Sequence, residues 1–208
     1  MNLPQSPVVV RIKQTALDFQ SIVWPVIRDT PMIGGGSLIP VEANEEKNSR
    51  DELDYIAGID AWHVAKCDKQ MRGLASRVQR SSEPFNNFTI RYKLASGKPT
   101  EYEKRLEAIN SQRDNGTNWL YPDITVQAYI NGQTNQLMSW AVMSTKQLFL
   151  AAEYLIKNGE VGNPDYSDDY GFRTGPDGNT FLYISWKYLE IPMIYPITPP
   201  APDFKSTY

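Results

Sequence analysis

Apolar residues recur at roughly helical spacing over 15–29, where Leu17, Ile22 and Val26 fall on one side with Trp24 near them. This predicts a helix that Pro25 kinks or ends early. Gly34, Gly35 and Gly36 then connect to a short strand at 37–42, and 43–52 is a polar loop or helix start. Apolar residues fill 55–64 (YIAGIDAWHV) around Gly58, which predicts a strand; KCDKQMRG turns the chain, and GLASRVQ brings it back as a second strand. Alternation over 85–94 predicts another strand. Thr100 with Glu103 three residues later has the form of a capping box, opening a helix over about 101–112. Strands at 123–130 and 136–144 flank an Asn-Gly hairpin turn. Thr145 is placed to cap a helix that stops at Gly159. A Gly-, Asp- and Pro-rich loop is expected at 160–179 and a last strand at 179–189.

Strands outnumber helices and hairpins join many of them. The expected class is therefore α/β in the α+β sense: a central mixed β-sheet flanked by helices, not a doubly wound parallel sheet. One domain over 1–190 is expected, followed at 191–208 by a proline-rich extended tail that could lie on a protein partner or a second copy of the chain.

Composition narrows the chemistry. The chain has 208 residues, a single cysteine (Cys67) and a single histidine (His63), so disulfide frameworks, zinc sites and histidine-based triads are not expected. A metal here would be a hard cation held by oxygen. The only apolar run near the N-terminus is Val8–Val10, with Arg11 and Lys13 following, so neither a signal peptide nor a membrane span is expected and a soluble cytoplasmic protein is. The net charge of −3 excludes a broadly basic nucleic-acid coat but not a local basic surface. Between Lys66 and Arg105 ten basic residues face four acids, whereas Glu42 to Asp60 holds seven acids and two bases. An acidic cluster beside a basic stretch suits a metal site next to a phosphate track. Solvated strand and helix faces are the plainer account of the same charges. Lys66, Lys69, Arg72, Arg80, Arg91 and Lys93 are the candidate nucleic-acid contacts, and Trp62, Phe85, Phe88 and Tyr92 are aromatic candidates for base stacking or for the core.

The sharpest constellation lies between Leu53 and Arg80. Strand alternation puts Asp60 on one face of its strand, and Ala75, Arg77 and Gln79 together on one face of the next. A carboxylate among Ile59, Ala61 and Trp62 needs a partner or a metal. One account is an Asp60–Arg77 ion pair with no catalysis. The other rests on a resemblance. GID, a turn, then G-x-A-x-R-x-Q resembles the core of the PD-(D/E)XK nuclease superfamily, the restriction-endonuclease-like fold, in which a strand aspartate binds Mg²⁺ and the next strand carries an acid, one residue, then lysine. The resemblance implies that Asp60 is the metal-binding aspartate. It puts Ala75 in the place of the second acid and Arg77 in that of the lysine. Glu42 or Asp54 would then complete the shell around Mg²⁺ (or Mn²⁺), Arg77 would face the scissile phosphate, and Gln79 is a secondary site residue. What it implies is a DNA-acting protein, a Mg²⁺-dependent endonuclease from a bacterium, phage or mobile element. The rival expectations are a non-catalytic interaction or nucleic-acid-binding protein that keeps the fold, and a phage structural component.

Overall fold

The computed structural model describes residues 7–41, 57–116, 119–159, 161 and 169–190. Helix α1 (Pro7–Asp18) runs through a π-helical turn (Phe19–Val23) into the short α2 (Trp24–Ile27). The helical stretch thus begins earlier than the apolar spacing alone predicts. Pro25 lies in the first turn of α2, where its missing N–H is least costly. Just before it the Trp24 N–H bonds to Phe19 O, five residues back, which widens the helix ahead of the proline.

Among the described residues eight strands follow: β1 (Gly36–Pro40), β2 (Ala61–Ala65), β3 (Met71–Ser81), β4 (Asn87–Lys93), β5 (Ile124–Asn131), β6 (Leu137–Ser144), β7 (Tyr170–Thr174) and β8 (Thr180–Ser185). Between them lie α3 (Glu101–Asn115) and α4 (Thr145–Lys157). They form two sheets. The larger has the order β1-β2-β3-β5-β6 and is antiparallel except for the parallel β3–β5 pair; the smaller is antiparallel with the order β4-β8-β7. A parallel pair needs a long crossover, and here that crossover contains both β4 and α3. The expectation of a mixed sheet flanked by helices is met.

One face of the large sheet buries Leu74, Val126 and Trp140 against Phe19, Val23 and Ile27. The other joins α3, α4 and the small sheet in a second core of Ile109, Leu148, Phe149, Phe88, Ile90 and Leu182. Covered on both sides, β5 is buried from Ile124 to Ile130. Two of its polar side chains are bonded within the core: Thr125 Oγ1 lies 2.7 Å from Thr145 Oγ1, and Gln127 Oε1 accepts from Thr89, while Gln127 Nε2 has no partner among the described residues. Among the described residues no helix is long and apolar enough to cross a membrane.

Several boundaries differ from expectation. The strand expected over 55–64 starts only at Ala61, because Gly58 takes φ +64, a left-handed conformation outside a strand. Asp60 therefore precedes the strand and is not in its middle. Thr145 does not cap α4: Ser144 holds the cap position without a side-chain bond, and the Thr145 hydroxyl turns inward to Thr125. Gly159 has φ +67 at the end of that helix, as expected. The loop expected over 160–179 contains β7, an edge strand whose apolar Tyr170 and Phe172 alternate with Gly171 and Arg173. The last strand ends at Ser185. The stretch 43–52 and the tail from 191 lie outside the described residues.

Candidate functional site

The site is built at the point where β2 parts from β3. Ala61 pairs with Leu74, and Asp60 N–H donates to Leu74 O at 2.9 Å; beyond this pairing β2 no longer accompanies β3. Residues two apart on a strand turn their backbone groups to the same edge, so Ser76 N–H meets no strand carbonyl there. The Asp60 carboxylate takes its place, with Oδ2 accepting from Ser76 N at 2.5 Å and from Ser76 Oγ at 3.1 Å. Asp123 does the same on the other edge, accepting Gly73 N–H at 2.7 Å just before β5 begins. Both aspartates finish a ladder that a strand has left open, which meets the requirement that buried backbone donors be paired.

On β3 the alternation is as the sequence predicts. Arg77 and Gln79 both donate to Thr89 Oγ1 on β4, at 3.3 and 3.1 Å. The ion pair of Arg77 is with Glu101, at 2.7 Å. Glu101 is the first residue of α3, and Thr100 caps that helix through the full capping box with Glu103. Its other oxygen pairs with Arg105 at 2.6 Å, one helical turn on, and Arg105 reaches Gly58 O at 3.0 Å. A network of Gly58, Arg105, Glu101 and Arg77 thus ties the approach to β2 to α3 and β3. Burial opposes ionisation of Glu101, but Arg105, Arg77 and the Arg91 N–H more than offset it and hold the carboxyl below its usual range. Arg77 also stands 5.6 Å from the centre of the Phe181 ring, and Arg91 stands 5.9 Å from the same ring.

The remaining candidates are distributed. Glu42 and Asp54 lie outside the described residues. Lys66 and Lys69 are exposed in the β2–β3 turn; Arg72 pairs there with Asp68 and donates to Met32 O. Arg80 is near the other end of β3 and clamps Asp18 with two bonds of 2.8 Å. Arg91 and Lys93 are exposed on β4. Phe88 belongs to the core, Tyr92 packs on Tyr102 and Phe172, Trp62 is partly buried and Phe85 exposed. His63 is fully buried, bonded to Gly35 O and set edge-on to Trp24. Among the described residues no three His, Cys, Asp or Glu side chains converge as a metal group.

Sequence reasoning missed Glu101, Arg105 and Phe181 as members of this site. The capping box announced where Glu101 would sit, but its two guanidinium partners come from β3 and the next turn of α3. No family model, curated protein or solved structure matches the chain.

Proposed function

We propose that this chain is a DNA-acting protein on a restriction-endonuclease-like scaffold, and that the junction of β2, β3 and α3 is where it meets the phosphodiester backbone. One observation carries the reading: Asp60 and Arg77 engage adjacent positions of β3, Asp60 through Ser76, with Arg77 held in place by Glu101. A guanidinium fixed in this way can bind a phosphate oxygen without giving up a proton. The mixed sheet flanked by helices supports the scaffold part, and a cytoplasmic setting belongs to the same proposal.

Mg²⁺-dependent hydrolysis is the reaction this reading implies. Asp60 has the oxygen donors of a Mg²⁺ ligand, with Oδ2 already accepting from Ser76 N and Oγ. Glu101 does not fit: both of its oxygens are turned to guanidinium groups, and those cations oppose a dication. The described donors therefore do not complete a Mg²⁺ shell, and Glu42 or Asp54 would have to. The same engagement of Asp60 and Glu101 favours the second reading, a protein that binds DNA without cutting it.

The test is cleavage and binding of supercoiled, linear and branched DNA with Mg²⁺ or Mn²⁺, by wild type and by Asp60→Asn, which keeps an oxygen to accept from Ser76. Cleavage by wild type that Asp60→Asn loses, with binding and melting temperature kept, supports hydrolysis. Binding with no cleavage by either supports the second reading. Neither binding nor cleavage by the folded wild type overturns both.

A further inference from the structure

On the small sheet one face is packed into the core through Phe88, Ile90, Leu182 and Ile184. Along β8 Phe181 and Tyr183 alternate with these residues and belong to the other face, where they are only partly buried. Arg91 is the cross-strand partner of Phe181, and Gly171 that of Tyr183. Arg77 and Arg91 stand 5.6 and 5.9 Å from the Phe181 ring centre, and Arg173 stands 4.9 Å from that of Tyr183. Gly171 makes room for this arrangement: a Cβ there would come within 2.6 Å of the Tyr183 hydroxyl and 2.9 Å of its ring. Two rings and three guanidinium groups thus share one half-buried face, which is exposed at Arg91 and Arg173 and meets Arg77 of the site described above.

We propose that this face is a binding track for single-stranded nucleic acid, with Phe181 and Tyr183 stacking on bases and Arg77, Arg91 and Arg173 meeting phosphates. The inference rests on the reading that the chain acts on DNA, and it names the form of the substrate. Base faces are available to aromatic side chains only where the bases are not stacked on one another, and aromatic rings with basic groups beside them are the usual means of holding such strands. Arg91 and Arg173, exposed and lying on rings in the free protein, can turn to phosphates when bases replace them, while Arg77 meets phosphate from its place beside Glu101. The spacing also favours a single strand. Side chains two apart on a strand are separated by about 7 Å, roughly twice the ~3.4 Å step along one strand of a duplex. The rings therefore address bases drawn apart. Charge is complementary to the same occupant: Arg91 and Arg173 are exposed, and Glu101 is the acid that the described contacts place against Arg77.

The experiment is fluorescence anisotropy of the full chain with a labelled fifteen-nucleotide oligothymidylate and with a hairpin duplex of equal length, in EDTA so that no metal-dependent cleavage intervenes. Tighter binding of the single strand is expected. Arg91→Ala with Arg173→Ala should weaken it at least about tenfold and lower the log–log salt slope by about 1.4, at roughly 0.7 per phosphate contact. Phe181→Leu with Tyr183→Leu should weaken it about tenfold or more with the salt slope unchanged, because stacking releases no counterions. The arginine pair is exposed and tests the track without disturbing the core. Preference for the duplex, or oligothymidylate binding unchanged in the arginine variant, overturns the proposal. Duplex binding without oligothymidylate binding overturns this inference and leaves the DNA-acting reading standing. Oligothymidylate binding that needs both rings and arginines supports it even where no cleavage occurs.

Discussion

Arg77 and Arg80 stand three residues apart on β3 and face opposite sides of it. Arg80 meets one carboxylate in a closed arrangement. Asp18, 3% exposed, accepts two of its N–H groups and a third bond from Gln14, so charge is matched one to one and α1 is locked onto the sheet. The bond to Asp18 is also the main reason that the Arg80 guanidinium holds its proton more tightly than usual. Arg77 also meets one carboxylate, but it shares Glu101 with Arg105 and with the backbone of Arg91. That side of the strand retains surplus positive charge and opens onto Phe181. The two arginines look alike in the sequence. What separates their roles is the number of cations per carboxylate: Arg80, the more exposed of the two, has Asp18 to itself and is closed by charge, whereas Arg77 shares Glu101.

The largest expected effect is on the closed side. Arg80→Ala leaves the Asp18 carboxylate buried without its cation, and losing one partner of such a pair costs about 3 kcal/mol. Urea denaturation should show that loss, while affinity for DNA of the folded protein stays at the wild-type value. Lower affinity at unchanged stability would place Arg80 in the interface and abolish the contrast. On the open side, Glu101→Gln is expected to cost about 2 kcal/mol, between the values for exposed and buried pairs, because the buried Arg105 loses its counter-charge. The pH dependence has a definite sign. The carboxyl titrates below its usual range when folded, despite burial, through Arg105 and Arg77. Its contribution is fully present above the unfolded value of about 4.3 and is lost as the pH falls through the folded one. The stability difference between wild type and Glu101→Gln should therefore be constant at neutral pH and vanish in acid. Removing the negative charge should at the same time raise affinity for DNA. Affinity that falls together with stability would show that Glu101 serves mainly to aim Arg77.

How much of this was legible depends on how local each signal is. The capping box at Thr100 and Glu103, the hairpin between β5 and β6 and the stop at Gly159 are written within a few residues, and all three form. The alternation along β3 correctly grouped Arg77 with Gln79, because side chains on a strand alternate whatever the partner strand is. The site partners were not legible, because they depend on register and on packing between sheets. Alternation over 55–64 puts Asp60 in mid-strand, where Arg77 is its natural partner. Gly58 instead delays the start of the strand to Ala61 and leaves the carboxylate at the ladder's open edge beside Ser76. Phe181 and Tyr183 read as members of a last strand, and their arginines come from β3, β4 and β7, far away in the chain. The run of basic residues between Lys66 and Arg105 looked like one patch. In the fold Lys66 and Lys69 occupy a turn at one end of β3, Arg80 is near the other, and Arg91 lies on a different sheet.

The smallest expected effect separates the position of Glu101 from its charge. Thr100→Ala removes the acceptor for Glu103 N–H and breaks the reciprocal box at the start of α3, which costs about 1 kcal/mol. For a chain of this length that corresponds to a fall in melting temperature of roughly 2–4 °C. Thr100→Ser keeps the hydroxyl and should restore most of it. Every charge around Arg77 is kept in both variants, so if the open side works through its ratio of cations to carboxylate, DNA affinity and its salt dependence should match wild type in each. If Thr100→Ala weakens binding and Thr100→Ser restores it, the firmness of α3 governs the open side, and charge count alone does not distinguish Arg77 from Arg80.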